Sequence, residues 1–174
     1  KQYPHSTVRG ACGWVCLQDL QQLLWHPVLC VDFQDIQRAL PVPSMFPNLR
    51  QLYVCHPVGA TDWVSGLEAL ENLEMLQLNV KSEAQLPRLE RLTYLGLDVQ
   101  PGVLVQLHLT ELPALVSLTL RGQEGKASLL TDEPALHLHH LVCNDLELLS
   151  VDFAALPRLR SARLDSRIQL DQPG

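Results

Sequence analysis

The chain has 174 residues, of which 47% are apolar but only 5% aromatic, and it carries a formal net charge of −6. That length fits one domain with an aliphatic core, and no run approaches the ~18 apolar residues that a membrane span requires. The acidic balance argues against nucleic acid as the main partner, because phosphate binding needs a concentrated basic face.

The first 27 residues fit no repeat. Val15, Leu17, Leu20, Leu23 and Leu24 suit an amphipathic helix capping the open end of a stack. The chain begins at Lys1 without a methionine, which admits an upstream segment that is missing or removed by processing. Leu29-Cys30-Val31 is a degenerate first copy of the motif that dominates everything after it. Phe33, Ile36 and Leu40 then have the spacing of one helix face, with Asp32 as N-cap and Pro41 as stop.

The dominant motif is Leu-x-x-Leu-x-Leu. It reads Leu49-Arg50-Gln51-Leu52-Tyr53-Val54, Leu73-Glu74-Met75-Leu76-Gln77-Leu78 and Leu92-Thr93-Tyr94-Leu95-Gly96-Leu97. It returns at Leu115 to Leu120, at Leu138 to Cys143, and at Leu159 to Leu164. From Leu52 to Leu76, Leu95, Leu118, Leu141 and Ala162 the steps are 24, 19, 23, 23 and 21 residues. An apolar motif recurring at this interval defines a solenoid, in which each unit buries its face only against its neighbours. Within each copy the last two apolar positions alternate, predicting a short strand with Met75, Gln77 and Asn79 facing away from the core.

Between the strands, Trp63, Leu67 and Leu70 repeat the helical spacing, with Asp62 or Thr61 as cap. The short unit from Lys81 to Leu95 leaves room for one helical turn around Leu86 to Leu92. Pro-x-Leu precedes Leu49, Leu89, Leu115 and Leu159, where the fixed proline φ punctuates the turn into a strand. Gln100-Pro101-Gly102 and Arg121-Gly122-Gln123-Glu124-Gly125 read as loops. Arg167-Ile168-Gln169-Leu170 reads as one more edge strand, and Asp171 to Gly174 as frayed.

These motifs resemble the leucine-rich repeat family, over roughly Pro27 to Asp165. The resemblance implies an α/β solenoid with a curved parallel sheet on the concave side and short helices and turns on the convex side. It divides the chain into a cap over 1–27, six to seven repeats over 28–165, and an edge and tail over 166–174. It also implies a protein-binding scaffold. The family's asparagine, three residues after the last leucine, is replaced here by Pro57, Lys81, Gln100, Gln123, Leu146 and Arg167. Turns closed by something other than an asparagine ladder are therefore expected.

Read in columns, the concave face carries three candidate stripes. The position after the last strand leucine holds Asp32, Cys55, Asn79, Asp98, Arg121, Asn144 and Asp165, a polar stripe suited to a basic or polar peptide. The next column holds Cys30, Tyr53, Gln77, Gly96, Thr119, Val142 and Arg163. Before it come Gln51, Met75, Tyr94, Ser117, His140 and Ser161. Tyr53, Met75 and Tyr94 would form an apolar-aromatic spot, and tyrosine is a favoured interface anchor. The binding candidates are thus Tyr53, Met75, Tyr94, Gln77, Asn79, Asp98, Arg121 and Asn144. Arg158, Arg160 and Arg163 are read as a solvated rim.

His137, His139, His140 and Cys143 do not suit tetrahedral zinc, since alternation sends them to different sides. Five cysteines without a clustered cap point to reduced thiols and a cytoplasmic setting. No phosphate loop, nucleophile elbow or His-Glu-x-x-His motif occurs. The expectation is a non-enzyme without cofactor or metal that binds a partner protein. The alternatives are a permanent subunit of a larger assembly and the recognition part of an F-box-type ubiquitin ligase adaptor.

Overall fold

The computed structural model describes residues 28–31, 48–58, 66–83 and 85–168. The strands are β1 (Val28–Val31), β2 (Gln51–Val58), β3 (Met75–Val80), β4 (Tyr94–Val99), β5 (Leu104–His108), β6 (Ser117–Leu130), β7 (His140–Ser150) and β8 (Ser161–Ile168). Every pairing is parallel, in the order β1-β2-β3-β4-β6-β7-β8, with β5 joined to the second half of β6. The chain is a parallel-sheet solenoid.

The leucine motif sets the register. Leu52, Leu76, Leu95, Leu118 and Leu141 are successive partners, and all are buried. On β3, buried Leu76, Leu78 and Val80 alternate with half-buried Met75, Gln77 and Asn79. A slip of one residue would turn this whole set outward, so burial pins the register.

The turns are not helical in the expected way. Among the described residues there is no α-helix, only the one-turn 3-10 helices Leu67–Ala69, Leu109–Glu111 and Phe153–Ala155. The leucine spacing explains this. Leu67, Leu70, Leu73 and Leu76 are three apart, as are Leu109, Leu112, Leu115 and Leu118. Side chains at i and i+3 eclipse on a 3-10 turn, so such a run aims every leucine at the core. Leu70 N–H donates to Leu67 O at 2.9 Å and Leu73 N–H to Leu70 O at 3.0 Å. Leu112 and Leu115 repeat that pattern onto Leu109 and Leu112.

The expected α-helix around Leu67 and Leu70 is therefore a 3-10 turn followed by a β-turn, and Leu86 to Leu92 holds no helix. Thr61, Asp62 and Trp63, the helix at Phe33 to Leu40 and the N-terminal cap lie outside the described residues. Pro113 and Pro157 occupy the second position of the Leu-x-x-Leu β-turns, where fixed φ is favourable. Pro87 does not, because its Leu89 starts the turn that Leu92 closes.

Turns are joined by backbone hydrogen bonds at the starts of the strands. The carbonyl just before β2, β3, β4, β6 and β7 accepts two N–H groups from the following turn. Arg50 O accepts from Glu74 and Met75, Glu74 O from Thr93 and Tyr94, and Thr93 O from Val116 and Ser117. Val116 O accepts from His139 and His140, and His139 O from Arg160 and Ser161. These ten bonds run from 2.8 to 3.1 Å.

The segment Arg121 to Gly125, expected as a loop, lies inside the 14-residue strand β6. Its first half pairs with β4 up to Asp98↔Arg121, and its second half pairs with β5 from Leu104↔Lys126. The residues between make a bulged corner, and Glu124 sits there at φ 60°. Gly102 (φ 76°) and Asp145 (φ 57°) turn the corresponding corners before and after it. The segment that follows the corner in this region is thus strand rather than helix, built from β5 and the second halves of β6 and β7. Arg167 and Ile168 extend β8 itself, pairing with Glu147 and Leu148, and do not form a separate strand.

Candidate functional site

Alternation leaves three columns on the sheet face away from the core, and the register places the candidates in them. Met75, Tyr94, Ser117, His140 and Ser161 are successive partners, as are Tyr53, Gln77, Gly96, Thr119, Val142 and Arg163. Asn79, Asp98, Arg121, Asn144 and Asp165 make the third. One member departs from expectation. A register shift after Val54 puts Pro57, not Cys55, opposite Asn79. Asp32 lies outside the described residues.

The aromatic spot is assembled by short contacts. The Tyr53 hydroxyl donates to Met75 Sδ at 2.7 Å, diagonally between β2 and β3. Tyr94 folds down over the next column. A Cβ placed on Gly96 would meet the Tyr94 hydroxyl oxygen at 3.2 Å and the Gln77 Cγ at 3.4 Å. Gly96 is thus the seat on which the Tyr94 ring lies. Thr119, one rung on, is also small and buried.

Polar members are tied across rungs. Gln77 Nε2 donates to Asp98 Oδ2 at 3.4 Å, and Gln100 Nε2 donates to Asn79 Oδ1 at 2.8 Å. The Gln100 backbone N–H also donates to Val80 O at 2.9 Å. Arg121 lies exposed between Asp98 and Asn144 and forms no ion pair among the described residues. At the corner the stripe opens onto a cleft of about 400 Å³, lined by Asp98, Gln100, Arg121, Gln123 and Asp145 among others. Asn144 Oδ1, one residue before Asp145, is buried with no hydrogen-bond partner. A buried acceptor of this kind costs about 1–3 kcal/mol until a donor reaches it.

The sequence reading missed the corner residues Gln100, Gln123 and Asp145 as part of this surface, because it treated the corners as loops. A usable signal was the glycine in the middle column, since a gap in a row of side chains invites a neighbour to fill it.

Arg163 pairs with Asp165 at 2.7 Å, closing the last rung of the stripe. Cys143 faces the core and is fully buried, whereas His140 is exposed on the outer face, so these two cannot converge on one ion. Among the described residues no three His, Cys, Asp or Glu side chains are grouped to hold a metal. No helix among them is long and apolar enough to cross a membrane. No protein-family model, no curated protein and no solved structure matches this chain.

Proposed function

We propose that the protein is a non-catalytic, cytoplasmic binding module that takes a partner protein across the outer face of its main sheet. The observation that carries this reading is the junction of Tyr53, Met75 and Tyr94 with a polar stripe holding an unpaired guanidinium. Half-buried aromatic anchors beside unsatisfied polar groups are the composition of an interface centre and its rim. The resemblance of the leucine motif to leucine-rich repeats supports protein recognition, whether as part of a ligase adaptor or as a fixed subunit of an assembly.

Affinity capture with the tagged chain tests this against two variants, Tyr94→Ala and Gly96→Val. The first deletes the anchor, and the second lifts the ring from its seat. Both are expected to lose the captured partner while melting like the wild type. Retention by both variants overturns the reading. A stoichiometric, salt-resistant set of partners identifies a fixed subunit, and exchangeable substoichiometric partners identify a recognition module.

A further inference from the structure

The last two turns carry cations where earlier turns carry opposite charges or neutral groups. The residue just before each strand is in turn Arg50, Glu74, Thr93, Val116, His139 and Arg160. At the first of these steps Arg50 and Glu74 form an ion pair at 3.6 Å. At the last, Arg160 follows the titratable imidazole of His139, with the Arg160 N–H bonding His139 O at 2.8 Å. Two residues earlier in each motif are His137 and Arg158, and the His140 ring centroid lies 6.3 Å from that of His139. Among the described residues no carboxylate pairs with Arg158, Arg160 or the three histidines.

The same end displays apolar surface. Leu136 and Phe153, 51% and 39% exposed, are the exposed large hydrophobics of the described chain. They sit on adjoining turns, because Ala135 N–H donates to Ala155 O at 2.8 Å. Leu136 directly precedes His137. Earlier turns put Glu71, Glu90 and Pro113 at the position of Leu136.

We infer that this C-terminal corner is a second docking surface, for an acidic segment of a partner protein that carries apolar anchors. Arg158, Arg160 and the imidazoles of His137, His139 and His140 supply the charge, and Leu136 and Phe153 supply the contact area. Charge complementarity selects the occupant. Adjacent rungs are about 4.8 Å apart, so the cations present a short two-row cluster matched to a few carboxylates on an extended peptide. Nucleic acid fits less well, since the cluster is small and the whole chain carries −6.

The site is sensitive to pH. His139 titrates below the ordinary imidazole value, through lost hydration and then through Arg160, His140, Arg158 and His137. All the charged groups that act on it are cations, while the carboxylates closest in sequence, Asp132, Glu133, Asp145 and Glu147, do not act on it. Acidification adds charge to the corner, so an acidic ligand binds more tightly as pH falls through the imidazole range.

Fluorescence anisotropy of the full chain with a labelled peptide of alternating Glu and Leu tests the inference. A Lys-for-Glu peptide, a single-stranded oligonucleotide and phosphatidylserine vesicles serve as competing probes. The acidic peptide is expected to bind, to weaken at least tenfold in Arg158→Glu/Arg160→Glu, and to bind several-fold tighter at pH 5.5 than at pH 7.5. Should the double reversal unfold the stack, Arg158→Gln/Arg160→Gln and the pH series on the unaltered chain decide the matter. Equal binding by wild type and variants overturns the proposal, as does preference for the oligonucleotide or the vesicles. Tyr94→Ala is expected to leave this binding unchanged, which separates it from the outer-face reading.

Discussion

Gly122 lies against the backbone of Val99 so closely that a Cβ on it would sit 2.2 Å from the Val99 carbonyl oxygen. The obstacle is main chain, not the flexible end of a side chain, and it belongs to the neighbouring turn. The corner of β6 can therefore stack on the end of β4 only with glycine here. Gly122→Ala is expected to destabilise the fold by about 3 kcal/mol, at the upper end of overpacking costs, because a backbone contact must open. A urea titration showing an unchanged midpoint would refute this account of the corner.

Position along the stack should govern the cost of losing a leucine. Leu118 is fully buried between Leu95 and Leu141, whereas Leu164 is only half-buried on β8. Leu118→Ala is expected to cost about 2–5 kcal/mol, and Leu164→Ala about 1 kcal/mol, since a solenoid turn is held only by its neighbours. Denaturation midpoints of the two variants check the ordering; equal losses would contradict it.

Cys143 takes the place of a core leucine, and burial pushes its thiol from the ordinary 9.0 up to about 12. The folded chain keeps this proton at pH values where the unfolded chain has lost it. Stability is therefore unaffected below about pH 9 and declines as pH rises toward 12, by at most ~1.4 kcal/mol per pH unit. Cys143→Val, compared by denaturation between pH 8 and pH 10.5, should remove that share of the decline. Thiol reagents should label Cys143 only at the rate of unfolding, and rapid labelling of the native protein would contradict its burial.

The repeated motif made the solenoid, the strands that carry the motif and their mutual register from Leu52 to Leu141 readable in advance. Those features depend on leucines whose burial admits one pairing, as the run from Leu52 to Leu141 shows. The turns were less legible because two periodicities overlap. Trp63, Leu67 and Leu70 have α-helical spacing, while Leu67, Leu70, Leu73 and Leu76 have a period of three, and the second period is the one along which all four leucines are buried. Gly122 and Gly125 looked like loop residues. Their contacts with Val99 are made across turns, which no local pattern records. Tyr53, Met75 and Tyr94 were legible as neighbours, but the role of Gly96 as the seat of the Tyr94 ring required coordinates.

The doubly accepting carbonyls before β2, β3, β4, β6 and β7 bear on how such a chain can change. Their paired bonds come from main-chain N–H groups, with the Thr93 hydroxyl adding a third at Glu74 O, so the side chains at those positions carry little of the burden of joining turns. Their occupants bear this out: a guanidinium, a carboxylate, a hydroxyl, an isopropyl group and an imidazole follow one another on one rail. Chemistry along that rail can be rewritten residue by residue without disturbing the stack. A surface of that kind can acquire a new partner while the fold stays fixed.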